Sequence, residues 1–309
     1  MKASAQLSAN GADSSAAEPW IFVQIPAYRD DELAPTLRDL YHKAADPRRL
    51  RVAVFWQRAD GEELPRAVRR LPNLELIEVP YQESRGVNWA RAHLQRLWQG
   101  EAYTMFLDSH HRFAAGWDRT LIGMHRALIA QGVERPMITA YLPPYHPASH
   151  PAGRRCSPYR IYPARREDGL LTHLTSHPIH GWRGLAGPQR GDFVSAHFLF
   201  AGGDFNIRLG WDPGIYFLGD EVAMSLRAHT HGYDLYHPHR VIGWHCYDRR
   251  TRTPHWDDHS GWGEQQRKSL ERLRRLFAGR LMGSYGLGRA RSRRSFEDRL
   301  LIPLVAPPA

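Results

Sequence analysis

The stretch Tyr103–Trp117, YTMFLDSHHRFAAGW, decides how this chain is read. Tyr103 to Leu107 is a continuous apolar run of the kind that forms a buried strand, and it stops abruptly at Asp108-Ser109-His110. In an extended chain, residues two apart point the same way, so Asp108 and His110 can aim at one place just beyond the carboxyl end of that strand. A carboxylate and an imidazole so placed are half of a site for a divalent cation, with the remaining positions left to another side chain, water or a phosphate. The same triplet also suits a strand-end turn in which the aspartate caps the next segment. The surrounding sequence has to decide between the two.

Trp20–Ile25 is a short apolar run suited to a buried parallel strand, broken by Pro26-Ala27-Tyr28-Arg29. Asp30 and Asp31 open a helix running to about Ala45, with Pro35 tolerated in its first turn. Leu50–Trp56 and Leu74–Val79 read as strands that end at Gln57 and at Pro80-Tyr81. Gly86–Trp98 carries apolar residues at helical spacing, and a helix over Trp117–Gln131 and a strand over Met137–Tyr141 follow the Asp108 turn. This alternation predicts an α/β fold with a mostly parallel central sheet flanked by helices. Such sheets take their ligands beyond the carboxyl ends of the strands. Here those ends supply Pro26–Arg29, Gln57, Tyr81–Gly86 and Asp108–His110: aromatic surface for a base, an amide to read its edge, arginines for phosphate and the metal half-site. The set reads as a nucleotide pocket.

Leu142–Gly191 is rich in Pro, His, Arg and Gly without periodicity, so a long loop or lid is expected over 142–192, shaping the acceptor side. Its histidines are irregularly spaced and define no metal cluster. Ser195–Ala201 reads as a strand leading into Gly202-Gly203, a pair that permits close approach of a ligand or simply a tight turn. Asp220 and Glu221 follow Gly219 at the start of a helix that ends near Gly232; acids there stabilise the helix dipole, and the same carboxylates can accept hydrogen bonds from a sugar. Val241–Tyr247, VIGWHCY, reads as a strand carrying His245, with Trp244 and Tyr247 as faces for a carbohydrate ring.

The net charge of +10 favours anionic partners. Cys156 and Cys246 form neither a disulfide framework nor a zinc spacing, which points to a reducing compartment. Met1–Glu18 is small and polar and reads as a disordered leader, and no apolar run approaches the ~20 residues needed to cross a bilayer. A soluble, cytoplasmic protein is expected: leader 1–18, one domain over 19–280, and a basic extension over 281–309. The run Arg267–Arg294 reads as a helix plus basic tail packed on the domain, which also offers a peripheral contact with an anionic membrane.

A resemblance is carried by FVQIPAYRD (Phe22–Asp30), VFWQ (Val54–Gln57), VPYQESRGVNWAR (Val79–Arg91), WQGEAYTMFLDSHHRFAAGWD (Trp98–Asp118), AGGDF (Ala201–Phe205), GDEVAMSLRAHTHGYDLYHP (Gly219–Pro238), HCYDR (His245–Arg249) and YGLGRARSRRSFED (Tyr285–Asp298). Together these blocks resemble the GlcNAc-transferase family of the cytoplasmic Skp1 hydroxyproline glycosyltransferases, and more distantly the polypeptide GalNAc-transferases. The resemblance implies a GT-A fold, a UDP-sugar donor, a divalent cation (Mn²⁺ or Mg²⁺) and transfer with retention. Carried over by position, Asp108 and His110 match an Asp-x-His metal motif around Ser109, and His245 the remaining protein ligand. Arg85, Gly86 and Arg91 match the donor-lining segment, Pro26, Ala27, Tyr28, Arg29 and Gln57 the uridine end, and Gly202 and Gly203 the sugar pocket. Asp220 and Glu221 match an acidic pair at the sugar and acceptor. The expected activity moves a sugar, GlcNAc first, from a UDP-sugar to a hydroxyl on a protein, glycan or small molecule. The alternatives are another UDP-hexose, hydrolysis of the nucleotide-sugar, or a non-enzymatic polyanion-binding protein. Nucleic acid is not an expected partner, because it leaves Asp108, His110 and His245 without a role.

Overall fold

The apolar runs become the middle of an eight-stranded sheet in the computed structural model, which describes residues 20–250 and 252–306. The expected leader lies outside the described residues. Strands β1 (Ile21–Tyr28), β2 (Leu50–Arg58), β3 (Leu74–Pro80) and β4 (Tyr103–Leu107) are followed by β5 (His111–Phe113), β6 (Pro136–Thr139), β7 (Tyr159–Glu167), β8 (Leu170–Pro178), β9 (Gln189–Arg190), β10 (Phe198–Gly202), β11 (Asp234–His237) and β12 (Gly243–His245). The main sheet runs β3-β2-β1-β4-β10-β6-β11-β9. Its neighbours pair in parallel except at β10, which is antiparallel to both β4 and β6, and at β9, antiparallel to β11. Burial follows position. β4 is buried at every residue, whereas β3 at the edge alternates between half-buried and exposed.

The helices are α1 (Leu33–Lys43), α2 (Arg66–Arg69), α3 (Val87–Gln95), α4 (Trp117–Ala130), α5 (Phe205–Arg208), α6 (Asp220–Thr230), α7 (His255–Asp258), α8 (Trp262–Phe277) and α9 (Arg293–Leu300). Strand alternation sorts β1 between the two faces. Ile21, Val23, Ile25 and Ala27 pack with Leu37 and Leu40 of α1 and Trp117 and Leu121 of α4, while Phe22 joins Ala90 and Leu94 of α3. Each large side chain buried this way contributes roughly 1.5–3 kcal/mol.

Two sequence expectations are corrected. The stretch 142–192 is not structureless, because Tyr159–Glu167 and Leu170–Pro178 pair as an antiparallel hairpin. Its turn is Asp168-Gly169, both residues at positive φ (54° and 74°), the geometry that an Asp-Gly pair favours between two strands. Irregular composition on either side hid that signal. The second correction concerns Gly202-Gly203. Because β10 is antiparallel, Gly202 pairs with Tyr103 at the start of β4 and so lies at the end of the sheet away from Asp108. Gly203 does serve close approach, but to the protein itself: its N–H donates to Ala102 O at 2.8 Å, and a Cβ there would stand 1.8 Å from Glu101 O.

The C-terminal region packs on the domain. Leu270, Leu273, Leu276 and Phe277 of α8 and Phe296 of α9 share one core with Leu170 and Leu171 of the hairpin. No helix among the described residues is long and apolar enough to cross a membrane.

Gly203→Ala should cost about 3 kcal/mol through overpacking against backbone that cannot yield, and lower the melting temperature by several degrees. Because the glycine sits at the far end of the sheet, Mn²⁺ affinity should not change. A tenfold loss of Mn²⁺ affinity with an unchanged melting curve would place Gly203 in the site after all.

Candidate active site

The carboxyl ends of β1, β4 and β6 and the beginning of β10 meet at one edge of the sheet, and the sequence-expected cluster forms there. The chain at Asp108–His110 is a bend between β4 and β5, not extended strand, yet it still turns both side chains to one point. β12 pairs with β5 so that His245 lies opposite His111. His110 Nε2 and His245 Nε2 each lie 3.6 Å from Asp108 Oδ2, and the three ligand atoms fall within 4.8 Å of one another.

These residues fit a divalent cation on their own chemistry. His245 is buried and neither ring nitrogen has a hydrogen-bond partner, which is rare for a buried polar group unless something else occupies it. Burial, reinforced by the neighbouring His110 and His111, holds its pKa well below the usual imidazole value, so it presents lone pairs. Burial raises the Asp108 carboxyl, but His110 and Arg91 outweigh it and the net effect is a lowered pKa, that of an ionised ligand. Asp30, which the sequence reading took for a helix opener, is the unexpected member. Its Oδ2 lies 2.7 Å from His110 Nδ1 and also accepts from Ser109 Oγ. No sequence signal separates such an aspartate from an ordinary cap.

Behind the cluster stands Arg91. Its Nη1 donates to Asp220 Oδ2 at 3.0 Å and to Asn88 Oδ1 at 2.9 Å; its Nη2 donates to Ala196 O at 3.0 Å and lies 3.4 Å from Asp108 Oδ1. Asp220 and Glu221 sit at the start of α6, as expected. Glu221 Oε1 accepts from Ala196 N at 2.8 Å, and Tyr141 Oη donates to Oε2. Burial and the adjacent Asp220 push Glu221 up to about 8. Burial also raises Asp220, against its ion pair with Arg91. Tyr141 was legible as a strand end but was not counted as a site residue.

The cleft in front is lined by Pro26, Tyr28, Gly86, Ser109, Tyr216, Phe217, Tyr247, Arg249 and the segment Arg252–Trp256. The sequence had not assigned that last segment, α7 with the residues before it. Asp258 fastens it down through Tyr28 Oη at 2.7 Å and Arg29 Nη1 at 2.8 Å, and His255 bonds Tyr216 Oη and Ser84 Oγ. A larger cavity, 720 Å³, opens at the other end of the strands around Trp20, Arg49 and Arg51, far from these groups.

Several expected donor residues stand elsewhere. Ala27 faces the core, since alternation along β1 sends Pro26 and Tyr28 to the cleft and their neighbour inward. Gln57 is buried, bonded to Ser84 Oγ and Ala27 O, and supports the cleft wall from behind. Arg85 is exposed, 6.0 Å above the Trp89 ring. Arg29 is tied to Asp258 and lies over the Tyr81 ring. Trp244, expected to meet an acceptor, is 5% exposed and packs with Tyr145 and Cys246, its Nε1 donating to Arg155 O. It neighbours His245 on a strand, so the two point to opposite sides. Tyr247, by contrast, is 44% exposed and lines the cleft.

This sheet belongs to a known architecture. The chain superposes on crystalline GalNAc-T7, solved with UDP, GalNAc and Mn²⁺, with a TM-score of 0.59 at 13% identity, covering 93% of this chain and 55% of that one. It superposes on S. aureus TarS with a TM-score of 0.51 at 11% identity, covering 91% of this chain and 43% of TarS. The chain therefore spans about half the length of the solved structures it matches. These likenesses define the fold class, that of the GT-A glycosyltransferases. The family follows from sequence: the glycosyltransferase (GlcNAc) model matches residues 20–72 and 64–295, and the chain belongs to that family. No curated protein matches it in sequence.

The raised pKa of Glu221 has a consequence for stability. A group whose folded pKa lies above its unfolded value, here 4.5, adds stability that is complete below that value and is lost as pH rises through about 8. In chelator-treated protein, Glu221→Gln should remove this dependence, so that the variant gains several degrees of melting temperature on wild type between pH 5.5 and pH 8.5. Parallel melting curves for the two proteins across that range would show that Glu221 is not proton-coupled to folding.

Proposed function

We propose that this protein is a metal-dependent, retaining glycosyltransferase that moves GlcNAc from UDP-GlcNAc to an acceptor hydroxyl. The observation that carries the reading is the convergence of Asp108, His110 and His245 within 4.8 Å, backed by an arginine that joins them to the acidic pair Asp220 and Glu221. The Mn²⁺, UDP and GalNAc named with the GalNAc-T7 structure support a nucleotide-sugar and a divalent cation, and the family supports GlcNAc as the sugar.

Asp108, His110 and His245 would hold the cation, which when bound supplies Lewis-acid charge to a departing diphosphate. Pro26, Tyr28, Gly86, Ser109 and Tyr216 line the donor cleft. Asp220, paired with Arg91, keeps a fixed negative charge near the place where a sugar carbon becomes electron-poor as its bond to phosphate loosens. Glu221, held by Tyr141 and the Ala196 N–H, orients sugar hydroxyls while its own charge is suppressed. Arg91 fixes the spacing between the two ends of the reaction. We assign neither carboxylate as a nucleophile. Tyr247 offers its exposed ring to the acceptor, with a hydroxyproline, Ser or Thr hydroxyl, as in the relatives the sequence resembles, being the first class to try. Phe217 and Trp256 extend the same aromatic rim. The protein acts in the cytoplasm in this reading.

A thermal-shift titration with Mn²⁺ and UDP-, GDP- and CMP-sugars tests the reading without a known acceptor, because a ligand that binds only the native state raises its melting temperature. A UDP-selective, Mn²⁺-dependent shift is expected, lost in Asp108→Ala and in His245→Ala, with turnover in either variant down by at least about a hundredfold. No shift with any nucleotide-sugar, or turnover intact without Asp108, would overturn it.

A further inference from the structure

We infer that Asp30 is the positioning residue that makes His110 a metal ligand, by holding the proton on Nδ1 and so turning the Nε2 lone pair toward Asp108 and His245. The inference rests on the cation reading above and adds to it a residue outside the ligand set.

The argument starts from the hydrogen-bond inventory. An ionised carboxylate has no proton to give, so every partner of Asp30 must be a donor. Its Oδ2 takes Ser109 Oγ and, at 2.7 Å, His110 Nδ1; its Oδ1 takes the Glu32 N–H at 3.0 Å. The Asp30 side chain is 1% exposed, so no water competes for these bonds. With Nδ1 protonated, a neutral His110 has its lone pair on Nε2 alone, and that atom lies 3.6 Å from Asp108 Oδ2. The acid thus selects the tautomer, as carboxylates behind metal-bound histidines generally do.

The ordinary role for an aspartate ahead of a helix does not account for this one. The cap residue of α1 is Glu32, whose side chain makes no capping bond, and the turn-type bond from the Glu32 N–H occupies only Asp30 Oδ1, leaving Oδ2 for Ser109 and His110. Asp30 is turned inward by Arg29, whose φ of 42° is a left-handed conformation that a residue with a side chain seldom adopts. That turn is fixed on both sides: Arg29 N donates to Gln57 O, and Thr253 N donates to Arg29 O. The chain therefore accepts local strain at one residue and delivers a carboxylate to His110. A charge balance results as well. Asp108 and Asp30 bring two negative charges to the pocket, which matches a divalent cation.

The test uses the full-length protein and has two readouts. Mn²⁺ binding is followed by the loss of the free-ion electron paramagnetic resonance signal in wild type, Asp30→Asn and Asp30→Ala. The His110 tautomer is read in the metal-free proteins by long-range ¹H–¹⁵N correlation. Asp30 variants should bind Mn²⁺ about 10–100-fold more weakly, and His110 should carry its proton on Nδ1 in wild type and shift to the Nε2 form in Asp30→Ala. Asp118→Asn is the structural control. It removes another buried carboxylate, one that bonds the N–H groups of Ala45 and Asp46, and should lower the melting temperature while leaving Mn²⁺ affinity unchanged. Wild-type Mn²⁺ affinity in both Asp30 variants, or an Nε2–H tautomer in wild type, would overturn the inference. If wild type itself binds no Mn²⁺, the cation reading fails, and the tautomer still decides the role of Asp30. If Asp30→Ala does not fold, the near-isosteric Asn variant carries the affinity arm.

Discussion

Arg91 is 3% exposed and carries a charge that no solvent can stabilise. A buried charge without partners costs several kcal/mol, so the fold must bring acceptors to it. They arrive from separate elements: Asp220 from the start of α6, Asp108 from the end of β4, Ala196 O from the approach to β10, and Asn88 from its own helix. The ring of Trp211 lies 4.6 Å from the guanidinium and closes the remaining side. One side chain thus fixes the distance between the cation cluster and the acidic pair. Without it, Asp108, Asp220 and Glu221 would be left as half-buried carboxyls with no fixed positive charge between them.

The reversal of β10 makes that meeting possible. In a wholly parallel sheet, the residues entering β10 would lie at the far edge and those leaving it would lie at the site. Here Phe198 pairs with Leu107, so Ala196 and His197 arrive beside Asp108 while Gly202 leaves toward Tyr103. The backbone of Ala196 then serves two sites at once. Its carbonyl accepts from Arg91 and its N–H donates to Glu221. His197 follows, stacked 4.0 Å from His245 and accepting the Leu142 N–H on Nε2. Strand direction, more than residue type, therefore decides which parts of Ser195–Gly203 matter to the chemistry.

That is also where the sequence was and was not legible. Periodicity identified the central strands and the helices between them, because burial on both faces leaves a continuous apolar signal. It also located Asp108 and His110, since they follow a strand, whereas Arg91, inside α3, was carried only by the resemblance. It could not report strand direction, so Gly202-Gly203 was placed at the wrong end. It could not separate Trp244 from Tyr247, because both are aromatic and only their alternation about His245 tells them apart. The hairpin of β7 and β8 carried its Asp168-Gly169 turn in plain view, yet the proline and histidine around it masked the strands. Asp30 was beyond reach for a deeper reason. A carboxylate that caps a helix and one that holds an imidazole have the same residue type in the same local pattern, and only the path of the chain at Arg29 distinguishes them.

A site built on imidazoles meets a constraint that one built on carboxylates does not. Carboxylates stay ionised when paired with cations, but each buried imidazole must be neutral, and each neutral ring has one N–H to place and one lone pair to satisfy. His110, His111, His197 and His245 cluster around Asp108, each ring beside at least two of the others. Burial drives His111 down to about 3 and takes His197 and His245 well below the usual value, so these rings do not solve the problem by taking up protons. The protein solves it ring by ring instead. His110 donates its Nδ1–H to Asp30, His111 donates its own to the carbonyl of Asp108, and His197 accepts the N–H of Leu142 on Nε2. His111 is left with Nε2 unmatched, but only His245 has both nitrogens without a partner. Its Nε2 is also one of the two that face Asp108 Oδ2. The open ring is what the proposed function requires: a cation would satisfy its lone pair, the Nε2 lone pair of His110 and the ionised Asp108 together.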